Sequence, residues 1–229
     1  MRAVIVAHGQ PSDPGPAEAE LAALAARVAA HLPGWGVTGA TLAAPGALAA
    51  AVAGGSGLVY PLFMAAGWFT RSHLPARLAE AEGGDWQILA PFGCDPVVQD
   101  LTVDIAGQAT RGGATELLLA AHGSFRSAAP SEIAYAMAGR IAREVTLARV
   151  EAAFIDQDPQ IEAATGFGPH AVCLPSFAAR GGHVELDLPL ALAKAGFAGQ
   201  VLPPVGADPR VPGLIAAALR AAAADTPRP

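Results

Sequence analysis

The chain repeats itself at an offset of 114 residues, and this limits its possible folds more than any other feature. Val172 to Pro189, VCLPSFAARGGHVELDLP, reads as a buried strand, a glycine-loosened turn carrying His183, and the start of a helix. Tyr60 to Pro75, YPLFMAAGWFTRSHLP, is an earlier copy of that pattern. Pro45 and Pro159, Pro61 and Pro175, and Pro75 and Pro189 all stand 114 residues apart. So do His8 and His122, each ending an apolar strand and each followed by glycine. At an offset of 113, Gly93-Cys94-Asp95-Pro96 matches Gly206-Ala207-Asp208-Pro209. Two domain-sized copies imply a tandem duplication rather than a solenoid. The expected halves are residues 1–112 and 113–229, meeting near Arg111 to Ala114.

Within each half, short apolar runs alternate with helical patterns. The first half predicts strands at Ala3–Ala7, Ala40–Ala43, Leu58–Met64 and Trp86–Pro91. Between them lie helices at Ala17–His31 and Gly46–Ala53, and one capped by Ser72 and running to Glu82; a last helix, from Pro96, closes the half. The second half predicts strands at Glu116–Ala121, Val150–Ile155, Ala171–Phe177 and Gln200–Pro203. Its helices are Ser131–Thr146, one opened by Asp158-Pro159, Asp187–Ala195, and one after Asp208-Pro209. Strands that are apolar throughout and alternate with helices imply parallel sheets covered on both faces. The expected class is α/β: two similar halves, each a four-stranded parallel sheet flanked by helices, with a cleft between them. Ligands of such sheets sit beyond the carboxyl ends of the strands. His8, His122, His183 and the Trp68-Phe69 pair all follow strands and so belong to that edge.

Composition narrows the partners. Apolar residues make up 52% of the chain and charged residues 15%, which suits a packed core and not a disordered chain. The net charge is −6 and no basic run is present, which argues against nucleic acid. Cys94 and Cys173 form no CxxC and read as reduced thiols, so a cytoplasmic location is expected. Met1-Arg2 leads straight into a strand with no export pattern, and no apolar run is long enough for a membrane span.

His122 and His183 are the residues most suited to chemistry. They end the first and third strands of the second sheet, which can be neighbours in a doubly wound half. Two neutral imidazoles converging there suit divalent cobalt, nickel, iron or zinc, and a two-ligand site stays open enough to hand its ion on. The alternative is two unrelated polar residues at strand ends. In the first half His8 matches His122, but Phe69 stands where His183 does and His73 where Asp187 does. His73 suits either a ligand or a plain helix start; His31 and His170 read as structural. Asp187 and Glu185 either orient the His183 ring or, for Asp187, favour a helix N-terminus.

His122-Gly123-Ser124 after a strand, followed by RGGHVELDLP from Arg180 to Pro189, resembles the class II chelatases. More narrowly, the chain is similar to the internally duplicated sirohydrochlorin cobalt- and ferrochelatases of cobalamin and sirohaem biosynthesis. PLFMAAGWFTRSHLP and the paired G-x-D-P segments extend the resemblance over both halves. It implies a lyase that inserts Co2+ or Fe2+ into sirohydrochlorin, with no cofactor beyond the metal substrate. The metal-contacting and catalytic histidines map onto His122 and His183, which places the site in the second half. Substrate contacts are expected from His8, Trp68, Phe69, Arg71, Ser124, Arg126 and Arg180, the arginines facing rim carboxylates. A monomer is expected, because the duplication replaces the homodimer of a single-repeat relative. The alternatives are a non-catalytic metal or tetrapyrrole carrier, and a chelatase for another tetrapyrrole or for nickel. A histidine phosphatase would want Arg directly before its His, where Ala7 and Ala121 stand.

Overall fold

The apolar runs become the inner strands of two parallel sheets. The structure, a computed structural model, describes residues 1–225. β1 (Arg2–Ala7), β2 (Gly36–Thr41), β3 (Gly57–Pro61) and β4 (Trp86–Ile88) lie in the order β2-β1-β3-β4. β5 (Glu116–Ala121), β6 (Arg149–Phe154), β7 (Ala171–Pro175) and β8 (Gln200–Val201) lie in the order β6-β5-β7-β8. Every pairing is parallel. The central strands carry the driest residues: Val4, Ile5 and Val6 in β1, and Leu117, Leu118 and Leu119 in β5, are fully buried. Fully burying each such side chain stabilises by about 1.5–3 kcal/mol.

Helices cover both faces of each sheet. In the first, α2 (Ala47–Val52) and α3 (Leu74–Glu80) bury Leu48, Val52, Leu74 and Leu78 against Val4, Val6 and Val59. Successive strand residues point to opposite faces, so Ile5 and Tyr60 turn the other way. α1 (Pro14–Ala30) packs on β1 and β2, with its Leu21, Leu24 and Val28 row buried. In the second sheet, α6 (Leu188–Lys194) and the 3-10 turn Ile161–Ala163 cover Leu118, Ala120, Ala153 and Cys173. α5 (Ala129–Glu144) packs on β5 and β6 and buries Met137 and Ile141.

The boundary between compact units differs from the boundary between sequence halves. One unit comprises Met1–Phe92 with the chain from Pro209; the other is Gly93–Asp208. The helix that ends the first half, α4 (Pro96–Arg111), therefore belongs to the second unit, where it packs on α5 and Asp100 accepts from Arg140 at 2.6 Å. The helix that ends the second half, α7 (Val211–Asp225), belongs to the first. There it packs on α1 and β3, and Arg220 donates to the His31 carbonyl at 2.9 Å. A repeat identifies equivalent helices; it does not say which copy of the core each will cover. Residues 226–229, the end of the expected second half, lie outside the described residues.

Four local expectations are corrected. β2 starts at Gly36 rather than Ala40. A Cβ at Gly39 would lie 2.8 Å from the Leu21 side chain, so this glycine lets α1 lie directly on the strand. Ser72 does not cap α3; it sits inside a π-helical turn, Phe69–His73, that runs straight into that helix. His183 is likewise not in a loose turn but begins the matching π-helical turn, His183–Asp187. Asp158-Pro159 opens only the 3-10 turn: the Phe154 N–H donates to the Pro159 carbonyl at 2.9 Å, so the chain stays alongside β6 before it can coil.

Candidate metal centre

β5 and β7 are hydrogen-bonded neighbours, paired as far as Ala120 opposite Pro175, so their carboxyl ends open side by side. His122 follows β5 directly. Gly123 then takes φ +74°, and a Cβ there would lie 2.6 Å from the Gln157 side chain. Both facts demand glycine. The Gln157 amide oxygen accepts from the Ser124 N–H at 2.8 Å and ties the turn to the end of β6. After β7, the chain loops to the π-helical turn headed by His183, where the Gly181 carbonyl accepts from both Val184 and Glu185 at 2.9 Å. Short π turns widen a helix by one residue and recur at functional sites.

The two imidazoles converge. His122 Nε2 lies 3.0 Å from His183 Nε2, with ring centroids 4.3 Å apart and planes at 80°. Each Nδ1 faces a carboxylate: His183 Nδ1 is 2.8 Å from Asp187 Oδ2, and His122 Nδ1 is 3.4 Å from Asp156 Oδ2. His122 Nδ1 also lies 3.1 Å from the Gly123 carbonyl. Oxygen acceptors at Nδ1 assign the proton there, which leaves the lone pair on Nε2 of each ring. Two nitrogens at this distance need a proton or a metal cation between them. With metal–nitrogen bonds of 2.0–2.1 Å, two imidazoles on one ion stand about 2.9 Å apart at a right angle and about 3.3 Å apart at a tetrahedral angle. The observed separation falls in that range. Both side chains remain 40–50% exposed, so an ion held there is open to a second ligand. Among the described residues, no group of three or more His, Cys, Asp or Glu is arranged to hold a metal.

The other expected site residues are distributed over both sheets. Ser124 sits beside His122, and its hydroxyl accepts from the Arg126 N–H at 3.1 Å, which caps the local turn. Arg126 and Arg180 are exposed on the loops that carry His122 and His183, and Arg71 is exposed in the first π-helical turn. His8, Trp68 and Phe69 gather at the carboxyl edge of the first sheet. His8 and Phe69 have ring centroids 4.5 Å apart, and Trp68 stacks on His73 at 4.8 Å and 18°. Phe69 packs on the core below and Phe63 stacks against it, while Trp68 stays 58% exposed. The structure thus brings His122 and His183 together, and His8 and Phe69 together, in matching places on the two sheets.

Sequence reasoning missed Asp156 and Gln157. The available signal was an acidic and an amide residue placed directly after a strand, at the edge already identified for the ligands. It also passed over an apolar rim: Phe125 is 79% exposed one residue after Ser124, and Leu186 is 65% exposed within the π-helical turn of His183. Burial acts on the thiol of Cys173 in β7, which is pushed up to about 12 and is chemically quiet. Two surface depressions lie away from the histidines. One is lined by Gly54, Gly55, Glu82 and Asp85 at the amino ends of β3 and β4, the other by Tyr135, Ala142 and Glu151 between α5 and β6.

Comparison with known proteins gives a consistent pattern. The CbiX family model matches residues 116–222. A structure described as CbiX, the terminal enzyme for biosynthesis of siroheme in denitrifying bacteria, is 49% identical. The match covers 97% of this chain and 99% of that one, with a TM-score of 0.89. SirB from Bacillus subtilis with Fe3+ is 16% identical over 98% of this chain and 96% of that one, with a TM-score of 0.74, and shares the fold. DR2241 from Deinococcus radiodurans, described as similar to chelatases with two additional domains, is 21% identical with a TM-score of 0.69. That match covers 96% of this chain and 54% of the longer protein. A search of curated protein sequences returns no match. No helix among the described residues is long and apolar enough to cross a membrane.

Proposed function

The chain belongs to the CbiX family, and from that premise we propose that it is a sirohydrochlorin chelatase, a lyase that inserts a divalent metal into the tetrapyrrole. The carrying observation is the 49% identity, over nearly the whole of both chains, to a CbiX described as the terminal enzyme of siroheme biosynthesis. That role makes Fe2+ the metal of first choice, with Co2+ the other metal the residues suit. The balance is simple: the metal ion enters, two pyrrole N–H protons leave, and no nucleotide or electron is consumed.

His122 and His183 are the metal-holding and catalytic residues in this reading. Their 3.0 Å approach supports it, because two lone pairs aimed at one point suit a single incoming cation. Each Nε2 that loses the metal to the macrocycle is a base beside the pyrrole nitrogens and takes up a departing proton. The macrocycle is flat and apolar in its middle, with carboxylates on its rim. Trp68, Phe69 and His8 form a cluster of tilted and edge-on rings suited to its face, and exposed Phe125 and Leu186 add apolar surface. Arg71, Arg126 and Arg180 suit the rim carboxylates, and Ser124 keeps a hydroxyl proton to donate. The substrate partners are sirohydrochlorin and the metal ion alone, handled by a monomer in the cytoplasm without nucleic acid or membrane.

An anaerobic absorbance assay with sirohydrochlorin tests this, offering Fe2+, Co2+ and Ni2+ in turn and correcting for the uncatalysed rate. Acceleration abolished by His122→Ala and by His183→Ala is the expected result. Acceleration that survives both but fails in His8→Ala keeps the enzyme and moves its site. Tight binding without acceleration for any metal replaces the enzyme with a carrier.

A further inference from the structure

The two histidines of the pair are not held alike. His183 Nδ1 has one close acceptor, Asp187 Oδ2 at 2.8 Å, carried four residues on by the same π-helical turn. An acceptor built into the rigid turn that carries the ring fixes both its tautomer and its direction, and a charge-assisted bond of this length is strong. His122 Nδ1 instead divides its contacts between the Gly123 carbonyl at 3.1 Å and Asp156 Oδ2 at 3.4 Å. Neither is short, and Asp156 comes from a different strand end, where its N–H donates to the His122 carbonyl at 2.9 Å. Its carboxylate lies in reach of the ring without gripping it.

We propose that Asp187 is the positioning residue of this site: it fixes His183 as the rigid ligand and leaves His122 as the one that adjusts. The proposal rests on the chelatase reading and adds a direction to it. An incoming cation meets a preset Nε2 on His183 and recruits His122; when the tetrapyrrole takes the metal, His122 lets go first. The first half has the same π-helical turn with His73 where Asp187 stands, so the carboxylate is specific to the half whose two edge histidines face each other.

Co2+ binding to the full chain, measured by equilibrium dialysis with the visible cobalt spectrum recorded alongside, tests the assignment without requiring turnover. Losing a carboxylate behind a ligating histidine typically weakens metal binding about 10–100-fold. Asp187→Asn is expected to fall in that range and to shift the cobalt bands, while the metal-free chain melts as the wild type does. Asp187→Glu, which restores a carboxylate, recovers part of the affinity, and Asp156→Asn weakens binding by less than about threefold. An Asp156→Asn loss equal to or larger than that of Asp187→Asn overturns the proposal. So does an Asp187→Asn chain whose affinity is unchanged while wild type binds well, a result that leaves the chelatase reading intact. A wild-type chain that takes up neither Co2+ nor Fe2+ under anaerobic dialysis overturns the proposal, and one that also fails to accelerate metal insertion into sirohydrochlorin overturns both.

Discussion

The carboxyl edges of the two sheets share a backbone and differ in two of three key side chains. Each edge has a His-Gly turn with the glycine at φ +76° or +74°, and each has a five-residue π-helical turn leading into a short helix. The second edge mounts His122, His183 and Asp187 on that frame; the first mounts His8, Phe69 and His73. The ring centroids of the first pair of residues nearly coincide in spacing, 4.3 Å for His122 and His183 and 4.5 Å for His8 and Phe69. A frame that brings two rings together therefore does not specify metal chemistry. The Phe at one position turns a candidate ligand pair into an aromatic contact, and the Asp→His change at another removes the carboxylate that sets the tautomer.

The comparison breaks most visibly if the second edge is studied on its own unit and on its own sequence half. The segment 93–208 contains one compact unit with its own α4, whereas 113–229 lacks that helix and carries α7 without its sheet. The expected outcome is cooperative unfolding and Co2+ binding for 93–208, and no cooperative transition for 113–229, read by circular dichroism. Two cooperative transitions of equal size would show that the exchanged helices are dispensable.

Single residues sharpen the contrast next. Removing a group that both holds the metal and accepts a proton costs about 100-fold or more, the expected effect of His183→Ala on kcat. His8→Ala, at the matching edge, is expected to cost less than about tenfold and to act through KM, as loss of uniform substrate binding does. Equal kcat losses would mean that both edges do the same chemistry. The reverse experiment is a graft. Phe69→His combined with His73→Asp rebuilds the second edge on the first, and a second equivalent of Co2+ per chain is expected in dialysis. A stoichiometry that stays the same would show that the frame alone does not position the rings.

The smallest effect concerns the cores beneath the two edges. Cys173 and Val59 occupy matching strand positions, both fully buried. Burial raises the Cys173 thiol to about 12, above its ordinary value in the unfolded chain. Between about pH 9 and 12 the unfolded chain releases that proton and the folded chain keeps it. Stability is therefore full below that window and falls by roughly 1 kcal/mol per pH unit within it. Cys173→Val is expected to remove this share of the alkaline loss in denaturant titrations at pH 8 and pH 10.

Much of the architecture was legible because its signals are local. Glu116–Ala121 is a bounded apolar run and forms a strand with those limits. The Leu21, Leu24 and Val28 row has helical spacing and is buried. His122 and His183 could be placed at one edge because strand order in a parallel half brings the first and third strands together. What stayed hidden depended on partners far along the chain. Gly39 lies outside the expected strand until Leu21 is seen packed above it. Asp156 draws no notice until its 3.4 Å contact with His122 is seen.

The sequence by itself determined the α/β class, the two equivalent sheets, the sheet edge that carries the candidate residues, and the Phe69 that stands where His183 does in the second half. All of these follow from periodicity and from residue identity at repeated positions. Only the tertiary structure decided that α4 and α7 exchange units, that two π-helical turns carry the key residues, and that Asp187 and Asp156 hold their histidines unequally. The physical reason is that equivalent apolar faces fit either core equally well on paper. A hydrogen bond a few tenths of an ångström shorter than another is set by packing, not by composition or spacing.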